Sequence, residues 1–327
     1  MKTISWVLVF VIIVFPLFFK NDLRAVEQER AQEKMVMYDG ALRAAVQDAA
    51  FALQLNENKN LEGSYDSTKR IRANKERAVK AFYETLFNNV GIRDDVIAQG
   101  VLKTYIPVIA VIDYDGLWIY TNETFRNAKG EYENRQVWKV KKPFAYSDEQ
   151  GNSLTFTLDD YVYAYDAATQ EWFEGRREEV SILTDHRIPL LEDPDTFDQV
   201  RRSTIISVVQ GSLEHSINSY NEYARRLGIT YIFTLPRVEQ EEWNNTINDV
   251  GVLSFIQGVP VGLHTYNNYA LGGSRLVKSA VIYGYLRQGV KVYFRDSYHY
   301  GGEIIEKFSS EREAAEAGYF PGEREPK

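Results

Sequence analysis

The stretch that most constrains this chain runs from Ile4 to Phe19, sixteen residues without one charge. Water rejects such a run unless lipid or a protein core takes it up. As a helix it spans about 24 Å at about 1.5 Å per residue, and a hydrocarbon layer about 30 Å thick calls for roughly 20 residues. Met1 and Thr3 extend it, and Lys2 and Lys20 can lay their stems along its ends with the ammonium groups in water. Trp6 stands near one end, where indoles favour the membrane interface, and Pro16 in the last turn bends the exit. The expectation is an uncleaved transmembrane signal-anchor over residues 1–20, touching membrane lipid through Ile4 to Phe19. A cleaved signal peptide is the rival. It needs small residues at the exit, and the chain offers Pro16, Leu17, Phe18, Phe19, Lys20 and Asn21, with Ala25 a lone small residue beyond. A buried core helix is the third option.

Charge does not settle the side on which the rest lies. Lys2 precedes the run, whereas Lys20, Arg24, Arg30 and Lys34 follow it, a count that alone favours a cytoplasmic domain. The signal-like layout and the absence of cysteine favour the other side. A chain of 327 residues with no Cys has no disulfide, no cysteine-zinc site and no thiol nucleophile. The expectation is a single-pass protein of the cell membrane with an extracytoplasmic C-terminal domain. A net charge of −8 argues against nucleic acid, which needs a basic footprint. A hydrophobic content of 44% with 13% aromatic residues is enough for a substantial core.

The periodicity predicts an α+β chain. Residues 21–56 read as an Ala-rich, membrane-proximal helix continuing the apolar run, charged over Asp22–Lys34. From Met35 onwards, Ala41, Ala44, Ala45, Ala49 and Ala50 fall at helical spacing. Small residues in that pattern let another element approach closely, either the chain's own domain or a second copy through Ala41, Ala45 and Ala49. Residues 57–175 read as a helix plus an antiparallel β-meander. The helix carries Ile71, Ala78, Val79, Phe82, Leu86 and Val90, with Ser67 or Thr68 as cap and Gly91 as stop. The meander spans Tyr105–Phe173, opening on the apolar Tyr105–Ile112 and turning at Asp113–Gly116. Residues 176–195 form an acidic connection with Pro189 and Pro194. Residues 196–327 form a second α+β part: a helix over Phe197–Leu227 capped by Asp195 or Thr196, a strand at Tyr231–Leu235, a helix at Gln240–Asn248 with Trp243 and Ile247 inward, strands at Val277–Tyr285 and Val290–Arg295, and a short helix at Ser309–Ala317 with a Ser310/Glu313 capping box.

No motif announces a reaction. Asp113-Tyr114-Asp115-Gly116 opens like a calcium loop, but the twelfth position is Thr124 rather than Glu. Asp159 and Asp160 are adjacent, so on a strand they point to opposite faces and do not converge. Gly272-Gly273-Ser274-Arg275 lacks the lysine of a phosphate-binding loop and reads better as backbone pressed against a neighbour. His186, His215, His264 and His299 show no metal-ligand spacing, and no G-x-S-x-G elbow is present. His299 is the first to test for a hidden hydrolase. The residues thus name no catalytic, cofactor-binding or metal-binding group.

The N-terminal apolar helix, the Ala41–Ala50 extension and the Tyr-rich remainder (22 Tyr) resemble pilin-like and accessory subunits of bacterial tight-adherence pilus or type II/IV secretion-related machines. The likeness covers residues 1–55. No Gly or Ala precedes a Phe or Met with Glu five residues on, so the resemblance implies an unprocessed accessory subunit and carries over no functional residue. The expected function is that of a membrane-anchored, non-enzymatic component of a bacterial surface or secretion assembly, partnered by other envelope subunits. The alternatives are an extracytoplasmic sensor or ligand-binding domain built on the meander, and an envelope hydrolase.

Overall fold

The computed structural model describes residues 2–54, 73–226, 233–235, 237–238, 243, 246–262, 264–274, 282–287, 289–294, 304–308, 314–315 and 317–322. It is a mixed α+β chain with antiparallel sheets. Contacts divide it into two compact units, Met1–Tyr65 with Arg72–Arg275, and Asp66–Ile71 with Leu276–Lys327.

The first unit is built on one helix. Helix α1 runs unbroken from Lys2 to Ala52. Leu23 to Arg30 are exposed, whereas Ala31, Ala41, Leu42, Ala45, Val46, Ala49, Ala50 and Leu53 are buried. Among the described residues no helix is long and apolar enough to cross a membrane. Of the run Ile4–Phe19, only the Phe10 side chain lies within them, and it is exposed. Helix α2 (Lys75–Val90) packs on α1. Its cap is Asn74, whose side chain accepts from Arg77 N–H at 3.2 Å. The expected caps Ser67 and Thr68 lie outside the described residues. Gly91 ends the helix at φ +78°, as its position implied. Helix α3 (Val96–Thr104) has no counterpart among the sequence expectations. Asp95 caps it, accepting from Ile97 and Ala98 N–H.

Strand β1 (Val108–Asp113) is buried along its whole length and pairs on both edges. It turns through Tyr114-Asp115 into β2 (Gly116–Arg126), which pairs with β3 (Tyr132–Trp138). On its other edge lies β8 (Val250–Val261), followed by β9 (His264–Ser274), so the order is β3-β2-β1-β8-β9. The meander expected over Tyr105–Phe173 is therefore two sheets. Among the described residues, strands β4 (Phe144–Ser147), β5 (Ser153–Phe156), β6 (Tyr161–Asp166) and β7 (Glu171–Arg176) pair only with one another. The reason lies in β1. A strand sunk in the core must satisfy both rows of backbone groups, and the apolar β8, every residue of which is buried from Val250 to Gln257, can enter the core beside it.

Residues 176–195 lie inside this unit and are more structured than a connection. They hold α4 (Arg177–Leu183) and a single 3-10 turn at Pro189–Leu191. Helix α5 (Pro194–Arg226) then packs on β1, β2 and β4. Its cap is Asp193, not Asp195 or Thr196. The Asp193 carboxylate accepts from the N–H groups of Asp195 and Thr196, and Pro194 takes the first helical position, where no N–H is needed.

The strand expected at Tyr231–Leu235 does not form at Phe233–Leu235. Side-chain amides take the place of a neighbouring strand. Asn221 of α5 donates to Phe233 C=O and accepts from its N–H, both at 2.8 Å. Gln257 of β8 does the same for Thr234, at 2.6 and 2.8 Å. Trp243 and Ile247 point inward as expected.

The second unit is a sheet of order β12-β10-β11-β13: β10 (Ile282–Arg287), β11 (Val290–Phe294), β12 (Ile304–Phe308) and β13 (Phe320–Pro321). Phe308, Ala314 and Tyr319 form its core with Tyr293. Ala314 and Ala315 are helical, while Ser310 and Glu313 lie outside the described residues.

Candidate functional site

Helix α1 meets β9 along a continuous internal seam. The contacts advance in step. A Cβ at Gly262, in the β8–β9 turn, would stand 3.6 Å from Ala31 Cβ. Tyr38 stacks on Tyr266 with ring centroids 5.7 Å apart. Asn268 donates to Asp39 at 2.5 Å. Gly272 meets Val46, and Gln54 bonds Ser274. Helix and strand thus run side by side in one direction. Burial raises the Tyr266 hydroxyl above its ordinary range, with the nearby Asp39 charge adding to it against the Asn268 bond. The contact between copies expected through Ala41, Ala45 and Ala49 meets a physical obstacle, because these residues are only 2%, 0% and 0% exposed within a single chain. The small side chains serve the chain's own domain, the other partner that their spacing allowed. The outer side of α1 keeps Val36, Met37 and Phe51 exposed. Beside it runs a shallow groove shared with α2, lined by Asp48, Phe51, Glu76, Lys80 and Thr85. The Thr85 hydroxyl bridges it to Asp48 at 2.6 Å.

The Asp113–Gly116 turn holds a charge cluster. Asp113, nearly buried, accepts from Tyr114 N–H at 2.8 Å, Trp118 Nε1 at 3.1 Å and Lys141 Nζ at 2.7 Å. Lys141 also bonds Asp115. Burial works against the Lys141 charge, but the two carboxylates outweigh it and hold the ammonium above its ordinary range. A lysine thus occupies the space between the two acids of the calcium-like turn. Lys75 Nζ lies 4.6 Å from the Trp118 ring centre and 5.3 Å from that of Trp138, so the protein's own cation covers this aromatic face. Among the described residues no three His, Asp or Glu side chains converge as metal ligands.

Asp159 and Asp160 sit in the turn between β5 and β6 rather than on a strand. Asp159 Oδ1 accepts from the Tyr114 hydroxyl at 2.7 Å, from Thr157 Oγ1 at 2.8 Å and from Tyr161 N–H at 3.1 Å. Its role is to fasten the second sheet to the β1–β2 turn, which Leu158 N–H also reaches through Tyr114 C=O at 2.9 Å. Asp160 is exposed.

Among the described residues, a Ser–His–carboxylate group does converge. His186 Nδ1 lies 2.8 and 2.9 Å from the two Glu192 oxygens and 3.1 Å from Ser181 Oγ, and Ser181 Oγ donates to Glu192 at 2.6 Å. The Ser181 bond and then the His186 bond hold the Glu192 carboxyl below its ordinary range. This is not hydrolase geometry. A general base takes the serine proton on one ring nitrogen while the acid holds the other. Here both partners share Nδ1, and Ser181 is 5% exposed and out of reach of a substrate. Sequence spacing carried no sign of the cluster, since the turn around Ile188 and Pro189 folds Glu192 back onto α4. Of the other histidines, His215 is exposed on α5, His264 begins β9 and His299 lies outside the described residues. Gly272 to Ser274 belong to β9 rather than to a phosphate-binding loop. No protein-family model, curated protein or solved structure matches this chain.

Proposed function

We propose that this chain is a membrane-tethered, non-enzymatic subunit of a bacterial cell-envelope assembly, of the pilin-like accessory kind. One observation supports the reading above the others: the helix that begins with the apolar run is the same helix that forms one wall of the domain core, without a break from Lys2 to Ala52. A disposable leader has no reason to continue as a rigid rod into the fold. A load-bearing tether does, because force or position at the lipid end is transmitted through one element. Between Lys20 and Ala31, the first buried residue of α1 among those described, the rod spans about 16 Å at about 1.5 Å per residue. That length holds the domain off the headgroups. Partners in the envelope then meet the outer side of α1 and the exposed surface of the domain, which faces away from the cytoplasm.

Alkaline carbonate extraction of membranes from cells expressing the whole chain tests the reading, together with co-purification in mild detergent. The protein should stay in the membrane pellet and bring other envelope subunits with it. Release into the carbonate supernatant, or a detergent extract holding this chain alone, would overturn the assignment.

A further inference from the structure

Successive side chains of a strand point to opposite faces, and this alternation gives the β4–β7 sheet two unlike sides. On β6, Val162, Ala164 and Asp166 are buried, whereas Tyr163 and Tyr165 on the other side are half-buried. The buried side lies toward α5: Phe156, opposite Val162 in the register, meets Phe197 with ring centroids 5.4 Å apart. The outer side combines hydroxyls with rings. One row across the four strands reads Ser147, Ser153, Tyr165 and Trp172. The next row sets Thr155 beside Tyr163 and Glu174. With strands about 4.8 Å apart, a row is about 14 Å wide.

We propose that this outer face is a glycan-binding platform, which takes a β-linked chain of pyranose sugars laid across the strands. Trp172 is 66% exposed, a large apolar ring left in water on a regular strand. It lies 5.2 Å from the Tyr165 ring at 48°, so the two do not close face to face. Among the described residues no cation covers either ring, in contrast to Trp118 and Trp138 under Lys75. Tyr161 meets Tyr163 edge-on, with centroids 5.8 Å apart, and steadies that ring. A β-linked pyranose has a flat C–H face and a rim of hydroxyls. The C–H face packs on an aromatic ring, and the rim finds the Ser153 and Thr155 hydroxyls and the Glu174 carboxylate. Single-stranded nucleic acid also stacks on rings but needs a basic groove, and the charges on this face are Glu174 and Arg176. A protein partner's aliphatic side chains would meet no aliphatic group larger than Ala145. The reading of the chain as an envelope component enters only through access to such polymers, which a cell wall supplies as N-acetylated sugars and a secreted polysaccharide as unacetylated ones.

Isothermal titration tests this on the whole chain in a polyoxyethylene detergent, which has no sugar headgroup. The probes are chitohexaose, cellohexaose and the α-linked maltohexaose. One or both of the β-linked chains should bind, with maltohexaose about ten-fold weaker. A preference for chitohexaose assigns the platform to cell-wall glycan, and a preference for cellohexaose to an unacetylated polysaccharide. Trp172→Ala and Tyr165→Ala should each weaken binding about five- to ten-fold, the worth of one aromatic contact. Trp172→Phe should keep most of the affinity, and melting of the exposed-site variant Trp172→Ala should be nearly unchanged. No binding of either β-linked chain, equal binding of maltohexaose, or unchanged affinity in both alanine variants would overturn the platform. Loss of a co-purifying envelope protein in Trp172→Ala, without glycan binding by the natural chain, would overturn it in favour of a protein partner. The titration is made in solution, so its outcome is independent of whether the chain resists carbonate extraction.

Discussion

Gly272 shows what a single missing side chain decides. A Cβ there would lie 2.9 Å from Val46 Cγ1 and 3.2 Å from Val46 O, so a methyl group pushes α1 off β9. Gly272→Ala should lower stability by about 1–3 kcal/mol, the cost of overpacking a tight seam. Combining it with Val46→Ala should recover part of that loss, and a double-mutant cycle in urea measures the coupling. Asp166 is the acid-sensitive residue. Burial alone would raise its carboxyl, but the Arg187 bond and the Ala168 N–H outweigh it and hold the carboxyl below its ordinary range. A depressed carboxylate contributes stability that is present above the ordinary carboxylate range and lost as pH falls through the lower folded value. Asp166→Ala strands a partly exposed Arg187 and should cost about 2–3 kcal/mol at neutral pH. The gap in melting temperature between it and the natural chain should narrow in acid. A constant gap down to low pH would show that the ion pair is not what the mutation removes.

Among the elements, those whose code is local were readable in advance. The inward face of α2 and its Gly91 stop follow from periodicity and from glycine's freedom at positive φ, and the β1–β2 hairpin follows from an apolar run broken at Asp113–Gly116. The close approach expected at Gly272 is present, although on a strand rather than a loop. What sequence did not carry was pairing at a distance. Nothing within Tyr105–Phe173 says that β1 takes β8 as its second neighbour, because strand partners are chosen by burial in the assembled core. The backbone of Phe233 and Thr234 departs from the expected strand for a related reason: its hydrogen bonds go to the amides of Asn221 and Gln257. The Ser181–His186–Glu192 group was equally invisible, since a turn and not a spacing brings it together. The amide clamp has a direct consequence. Asn221→Leu leaves a buried N–H and C=O without partners and should cost about 3 kcal/mol, whereas capping loss in Asn74→Ala should cost about 1 kcal/mol. Chemical denaturation of the two variants checks the order.

At the scale of the whole molecule, one rod organises the first unit. The α1 helix carries an uncharged stretch at one end, a polar length exposed from Leu23 to Arg30, and at the other end the alanine face that closes the core. The sheet joins residues before and after 176–195, so the chain from Arg72 to Arg275 works as one body with α1. Because Leu23 to Arg30 are exposed and, among the described residues, burial on α1 begins at Ala31, removing residues 1–30 should leave a domain that unfolds cooperatively and at nearly the same temperature as the whole chain in detergent. The central claim is that the rod's free end stays in lipid. The most direct measurement is the N-terminal sequence and membrane partition of the mature protein, isolated from cells without overexpression. The proposed tether requires carbonate-resistant protein that retains Ile4–Phe19. A water-soluble protein beginning near Ala25 would contradict it.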